Sequence, residues 1–401
     1  MNICLLSREY PPETGWGGIG TYTYHLAHGL AEKGHQVHVI AQGLEKERVE
    51  QDEKVTVHRV FHRPLFVANG FLREWGLRVE YSYHVLQKVK EVISKYSIDI
   101  VEAPNFSGEG FGYSFFKRTP LVTRLHTHFS EAAQFLDEGK GADHYLSCVI
   151  EDAAILRSDL VICSTKAHSK LVSEEIGMNP DRVERIPLGI PLPSLNNDHG
   201  GHTLELPHPA ILFVGRLEKR KGIHTLMQSI PIVLKETPQA HFFIVGRDTY
   251  VTDTGVSLQG ERRYSFKEKL LQEFPQEYLD RVHFVGYVSN ELLERYYQSC
   301  DFFVAPSLYE SFGFIYVEAM SYGKPVIGCC VGGVPEVVEN GVTGILVPPE
   351  DPARLAQEMI RLLKDSSFKQ ELGRQARKRV EVCFTREIMV ENTLRAYRRL
   401  L

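Results

Sequence analysis

Two glutamates eight positions apart, Glu310 and Glu318, lie in the stretch Pro306-Ser307-Leu308-Tyr309-Glu310-Ser311-Phe312-Gly313-Phe314-Ile315-Tyr316-Val317-Glu318. In one continuous helix they would be separated by about 80°. An apolar, strand-like run at 301–305 precedes them, so Glu310 reads as a loop residue and Glu318 as a helical one. Both can then face the crevice at the strand's carboxyl end, where open α/β sheets bind ligands. The turn Phe312-Gly313-Phe314 would present backbone N–H groups at a helix N-terminus, which suits an anion. Carboxylates beside an anion hole call for a ligand carrying hydroxyls and phosphates, and a sugar nucleotide is the simplest such molecule.

A second phosphate-directed stretch is Phe213-Val214-Gly215-Arg216-Leu217-Glu218-Lys219-Arg220-Lys221-Gly222. A strand ends at Gly215, cations follow at once, and Gly222 opens a helix. Arg216 and Lys221 are the expected diphosphate ligands, a planar fork and a point donor; the alternative is a solvated basic turn. The third stretch, Gly15-Trp16-Gly17-Gly18-Ile19-Gly20, matches the dinucleotide pattern G-x-G-x-x-G. Seven residues, 8–14, separate it from the first strand, where a dinucleotide site turns tightly, and strand two ends Val39-Ile40-Ala41-Gln42 without an acid for a ribose. A glycine-rich lip that lets another group approach the backbone fits better. His126 closes a strand at 121–126 and could hydrogen-bond a sugar or bias charge near a reacting carbon; a structural hydrogen-bonding role is the alternative. His126 and His128 lack the further ligands a zinc site needs. No Asp-x-Asp pair, P-loop or nucleophile elbow is present.

The elements that must position these residues are legible as short β-rich runs alternating with helix-length segments. In the first half they fall at 3–7, 37–41, 55–60, 99–102, 121–126, 160–164 and 183–187; in the second at 211–215, 242–246, 282–285, 302–306, 325–330 and 344–347. This alternation predicts parallel sheets covered on both faces, one doubly wound unit per half. Helices are expected at 18–32 with Gly34 as its stop, at 223–235, 290–298 and 352–364, and as a pair over 368–401 divided near Thr385. The repeated Val-Gly-Arg at 214–216 and 245–247 reads as two strand ends rather than a duplication.

At 401 residues two domains are the default. Prolines at 191, 193, 207 and 209 around the polar run 196–203 suit a linker. The division is therefore a first domain over 1–190, a linker at 191–208, and a second domain from 209. Net charge of -5, from 46 basic and 51 acidic residues, gives no general case for nucleic acid. Seven cysteines without a C-x-x-C pair read as reduced thiols, and the sequence predicts a cytoplasmic protein without signal peptide or membrane span.

Taken together, Gly17-Gly18, Gly215-Arg216 with Lys221-Gly222, and 310–318 followed by Ala319-Met320 and Gly323-Lys324-Pro325-Val326 resemble the retaining family 4 glycosyltransferases of GT-B fold. Gly332-Gly333-Val334-Pro335-Glu336 and 341–348 extend the resemblance, which is most specific over 304–349. It implies an α/β fold of two Rossmann-like doubly wound domains facing across a cleft, with a C-terminal helix at about 386–401 crossing back to the N-terminal domain, which leaves 209–385 as the second domain. The donor would bind mainly to the C-terminal domain and the acceptor to the N-terminal one.

Carried over by resemblance, Arg216 and Lys221 bind the donor diphosphate, Glu318 the ribose, and Glu310 the sugar hydroxyls with the amides of Phe312, Gly313 and Phe314. Gly17 and Gly18 approach the donor phosphate, His126 lies near the transferred sugar, and Tyr287 and Val288 contact the base. The implied reaction is metal-independent glycosyl transfer from a nucleoside-diphosphate sugar, a UDP-sugar by family frequency, with retention by front-face attack. No cofactor is expected. Leu188-Gly189-Ile190-Pro191 departs from the family's usual hinge sequence, and the 247–269 loop is longer than typical. The hydroxyl acceptor is open among glycan, lipid-linked glycan and small molecule; the aromatic and basic stretch 61–75 could meet a membrane surface, or pack as a loop on its own domain. The rival readings are a nucleotide-sugar epimerase, an NAD-dependent oxidoreductase and a non-catalytic sugar-binding protein.

Overall fold

The computed structural model of the chain describes residues 1–15, 17–64, 72–134, 141–194, 203–252 and 263–401. Trp16, residues 65–71 of the stretch 61–75, residues 195–202 of the linker 191–208 and the centre of the 247–269 loop lie outside the described residues. The chain divides into two compact units, Met1–Pro191 with Thr385–Leu401, and Leu192–Phe384.

The first unit is built on a sheet of β1 (Asn2–Leu6), β2 (Gln36–Gln42), β3 (Arg48–Asp52), β4 (Val55–Val60), β5 (Ile100–Pro104), β6 (Leu121–Leu125), β7 (Leu160–Cys163) and β8 (Val183–Arg185). Their order is β3-β4-β2-β1-β5-β6-β7-β8. Central strands such as β5 and β6 are buried along their whole length, as the continuous apolar runs require. One departure from the expected all-parallel sheet is β3, which pairs antiparallel with β4 at the edge. Its sequence, RVEQD, carries no apolar run and is half-exposed, so the pattern hid it; charged edge strands of this kind resist further pairing. The Arg386–Arg398 helix is part of this unit: Thr385 caps it by accepting the Ile388 N–H, and the Tyr397 hydroxyl donates to buried Glu102 at 2.7 Å.

The second unit has β9 (Ala210–Val214), β10 (His241–Val245), a small antiparallel hairpin of β11 (Tyr250–Thr252) and β12 (Arg263–Ser265), β13 (Val282–Gly286), β14 (Phe302–Ala305), β15 (Val326–Cys329) and β16 (Gly344–Val347). The six-stranded sheet runs β13-β10-β9-β14-β15-β16, all parallel. Ile211, Phe213, Phe242, Phe302 and Val304 fill its core with Leu226, Ile230 and Met359 from the covering helices. Both repeats of Val-Gly-Arg are indeed strand ends, and Gly246 is required there: a Cβ would stand 1.9 Å from the Gly215 carbonyl oxygen. No helix among the described residues is long and apolar enough to cross a membrane.

Candidate functional site

In the second unit the chain leaves β9 toward β10 and β13 on one side, then returns to place β14 on the other. The carboxyl ends of β9 and β14 therefore flank a topological switch point, the ligand position of open α/β sheets. Arg216 and Lys221 follow β9, and Glu310 follows β14, so two segments far apart in sequence meet there.

Their loops are stitched together by backbone. The Leu308 N–H donates to the Arg220 carbonyl at 2.8 Å, and Arg220 Nη1 donates to the Tyr309 carbonyl at 3.3 Å. Gly222 begins the Ile223–Glu236 helix at φ 68°, and a Cβ there would lie 1.8 Å from the Pro306 carbonyl oxygen. Only glycine allows both that left-handed turn and that approach. On the other side the Gly333 N–H donates to the Glu310 carbonyl at 2.9 Å, and a Cβ on Gly332 would strike the same oxygen.

Held in this way, the Glu310 carboxylate is 7% exposed. It accepts from Lys221 Nζ at 2.6 Å and Ser307 Oγ at 2.9 Å, with Arg220 Nη1 at 3.8 Å. Burial pushes its carboxyl up, but the Lys221 and Arg220 charges and these hydrogen bonds prevail and hold it below the usual carboxylate value. Glu310 is thus one half of a buried ion pair, where sequence reasoning placed it as a sugar-binding acceptor beside a separate Lys221. Arg220 and Ser307 were missed, although both stand inside the quoted motifs. Arg216 is different: its side chain is 60% exposed and its ion pair with Glu218, at 3.4 Å, is loose. A guanidinium in that state is available to a ligand.

Gly313, at φ 93°, opens the Phe314–Ser321 helix, and a Cβ there would meet the Tyr316 ring at 2.7 Å. Tyr316 in turn donates to the Ala305 carbonyl at 2.5 Å, tying the helix to the end of β14. Phe312 is buried against Phe314 and Phe384, which fixes the direction of this N-terminus. Glu318, on the helix, accepts from the Tyr297 hydroxyl at 2.8 Å. Burial pushes its carboxyl above the usual value, against the pull of Tyr297 and Lys221. Tyr297, on the helix expected at 290–298, is a partner that sequence reasoning did not single out. Tyr287 and Val288 follow β13; Tyr287 is exposed, and Arg247, after β10, lies over its ring at 4.3 Å.

Three predicted residues belong to the first unit. Gly17 caps the Gly18–Glu32 helix, and a Cβ on it would collide with the carboxylate of Glu9 at 2.1 Å. The close approach expected of a glycine lip is therefore made by a neighbouring side chain. Gly18 is exposed, with open space where a Cβ would stand. His126 follows β6; its N–H donates to Asn105 Oδ1 at 2.7 Å and its ring meets the edge of Tyr22 at 5.3 Å. Its Nε2 is buried without a hydrogen-bond partner. Burial, seconded by the Arg124 charge, holds the imidazole down to about 3, so it is neutral at pH 7.

Comparison with known proteins matches residues 196–379 to the family described as glycosyl transferases group 1 and residues 16–193 to glycosyltransferase family 4. The chain is 27% identical to an uncharacterised glycosyltransferase of Methanocaldococcus jannaschii, over 99% of this chain and 98% of that one. Its fold is similar to sucrose-phosphate synthase of Thermosynechococcus elongatus, with TM-score 0.77, 24% identity and coverage of 100% and 98% of the two chains. It is also similar to HepE of Anabaena, a structure in complex with UDP and glucose, with TM-score 0.69, 21% identity and 99% of each chain covered.

Proposed function

Since the chain belongs to the family 4 glycosyltransferases of GT-B fold, we propose that it transfers a hexosyl group from a nucleoside-diphosphate sugar, a UDP-sugar by preference, to a hydroxyl acceptor with retention at the anomeric carbon. The observation that carries this reading is the meeting of exposed Arg216 with the buried Lys221–Glu310 pair at the switch point between β9 and β14. Arg216, Lys221 and the helix N-terminus at Gly313 would receive the diphosphate and stabilise the charge it gathers as it leaves. Glu310, whose second carboxylate oxygen stays open to a weaker contact with Arg220, would orient sugar hydroxyls and hold Lys221 in place.

His126 would offer its unpartnered Nε2 to the transferred sugar, as a neutral hydrogen-bonding group rather than a cation. Glu318 would take the ribose, and Tyr287 with Val288 the base. The UDP and glucose held by HepE favour a uridine donor among the nucleotides. In this reading the transfer needs no metal, because the chain's own cations meet the developing charge, and the leaving phosphate takes the acceptor's proton. Gly17 and Gly18 would face the donor phosphate.

Thermal-shift titration with UDP-, GDP- and ADP-sugars tests donor choice, since a ligand at 100 times its Kd adds about 2.7 kcal/mol to stability. Arg216→Ala should leave stability within about 0.5 kcal/mol and cut kcat/KM on the preferred donor by about 100-fold. Unchanged turnover in that variant would remove the diphosphate assignment. The anomeric configuration of the product, read by NMR, decides between retention and inversion.

A further inference from the structure

At the carboxyl edge of the first unit's sheet, three metal-ligating side chains not assigned above converge. His62 lies two residues beyond β4. Glu80 and His84 lie on the Arg73–Tyr96 helix, four positions apart and so on one face. One ligand atom from each falls within 4.8 Å of the other two. His62 Nε2 is 3.3 Å from Glu80 Oε1, and the rings of His62 and His84 are 4.9 Å apart between centroids.

We propose that His62, Glu80 and His84 form a binding site for a divalent transition-metal ion of the zinc class, with three protein ligands and a fourth position open to water or a ligand. Three points support it. Two imidazoles and a carboxylate are the donor set of open zinc sites, and imidazole favours zinc, copper or nickel over magnesium or calcium. Metal bonds of about 2.0–2.1 Å in a tetrahedron set ligand atoms about 3.3 Å apart, the separation already present between His62 and Glu80. His62 and Glu80 are enclosed, with side chains 5% and 9% exposed and in contact with each other, so the donor atoms already face one another inside the unit.

Glu80 meets the cation's charge in part. Arg8 contributes a positive field here, while it donates to Gln42 Oε1 at 2.7 Å and sits over the Tyr81 ring. An ion bound at this place would clip the chain after β4 to the long helix beside it. The proposal stands apart from the transfer chemistry, which it neither needs nor explains.

The test uses the full-length protein stripped with a chelator and dialysed. Titration with Co²⁺ should give visible d–d bands of a four-coordinate site that saturate at one ion per chain, and Zn²⁺ should displace it and raise the melting temperature. His62→Ala and His84→Ala should each weaken binding by at least about tenfold, and Glu80→Gln should weaken it while keeping the side chain's shape. Circular dichroism and the donor-induced thermal shift, which do not involve the site, certify that each variant is folded. Absence of stoichiometric binding by the wild type at micromolar free metal overturns the proposal. So does binding that survives His62→Ala and His84→Ala, which would place the ion at another of the 17 histidines.

Discussion

Replacing Lys221 by methionine separates what the buried ion pair does for the fold from what it does for chemistry. Lys221 Nζ and Glu310 Oε1 are 2.6 Å apart, and both side chains are almost enclosed, 14% and 10% exposed. Removing one partner of such a pair costs about 3–5 kcal/mol, chiefly because the other charge is left buried and unpaired. Here Arg220 at 3.8 Å and the Ser307 hydroxyl remain beside Glu310, which lowers the expected loss to about 2–4 kcal/mol at pH 7. Its pH dependence has a definite sign. Glu310 is held below the ordinary carboxylate value in the native protein, so its contribution to stability is present above the unfolded value and fades as pH falls through the lowered one. Without Lys221 the carboxyl rises, and the deficit of Lys221→Met relative to wild type should therefore shrink toward acid. Adding Glu310→Gln to Lys221→Met removes the stranded charge and should restore most of the lost stability. Activity should not follow: with the diphosphate's cation gone, kcat/KM stays down by about 10²–10³. Urea unfolding and steady-state transfer on the two single variants and the double variant measure both quantities. A double variant that recovers stability and transfer together would refute the diphosphate role and leave Lys221 as a structural partner of Glu310 alone.

Two further outcomes test the geometry. Gly222→Ala should destabilise by more than about 2 kcal/mol, because a left-handed non-glycine residue costs roughly 1–2 kcal/mol before the Pro306 carbonyl has moved from a Cβ placed 1.8 Å away; a denaturation midpoint close to wild type would show that the two loops are not seated as described. His126 contributes to the acid sensitivity of the first unit. Its folded value of about 3 lies below the ordinary histidine value, so its contribution to stability is full above about pH 6.5 and is lost as pH falls toward the folded value. His126→Gln should therefore flatten the urea midpoint's pH dependence around pH 5 by up to about 1.4 kcal/mol per pH unit, and an unchanged slope would mean that the ring is not buried and neutral.

How far the sequence could carry these conclusions depended on the kind of signal. Strands such as β9, β14 and β15 are buried on both faces and so must be continuously apolar, which made them readable from composition alone. The polar edge strand β3 and the β11–β12 hairpin have no such constraint and stayed invisible. Helix ends were readable where a cap does local work, as at Thr385 and Gly34.

The site divides along the same line. Each loop announced its residue types, because anion and hydroxyl recognition restrict which side chains can serve. The pairing between loops could not be read, since it depends on β9 and β14 being neighbours while 87 positions separate Val214 from Asp301. Only that adjacency turns Glu310 from a free acceptor into the counter-charge of Lys221. It also explains why Gly222, Gly332 and Gly313 surround it. A Cβ on Gly222 would meet the Pro306 carbonyl oxygen, one on Gly332 the Glu310 carbonyl oxygen and one on Gly313 the Tyr316 ring, so the turns that hold the pair have no room for side chains. The glycines are thus read best as consequences of how closely these loops pack, and Arg216, exposed and only loosely held by Glu218, as the cation placed to meet a ligand first.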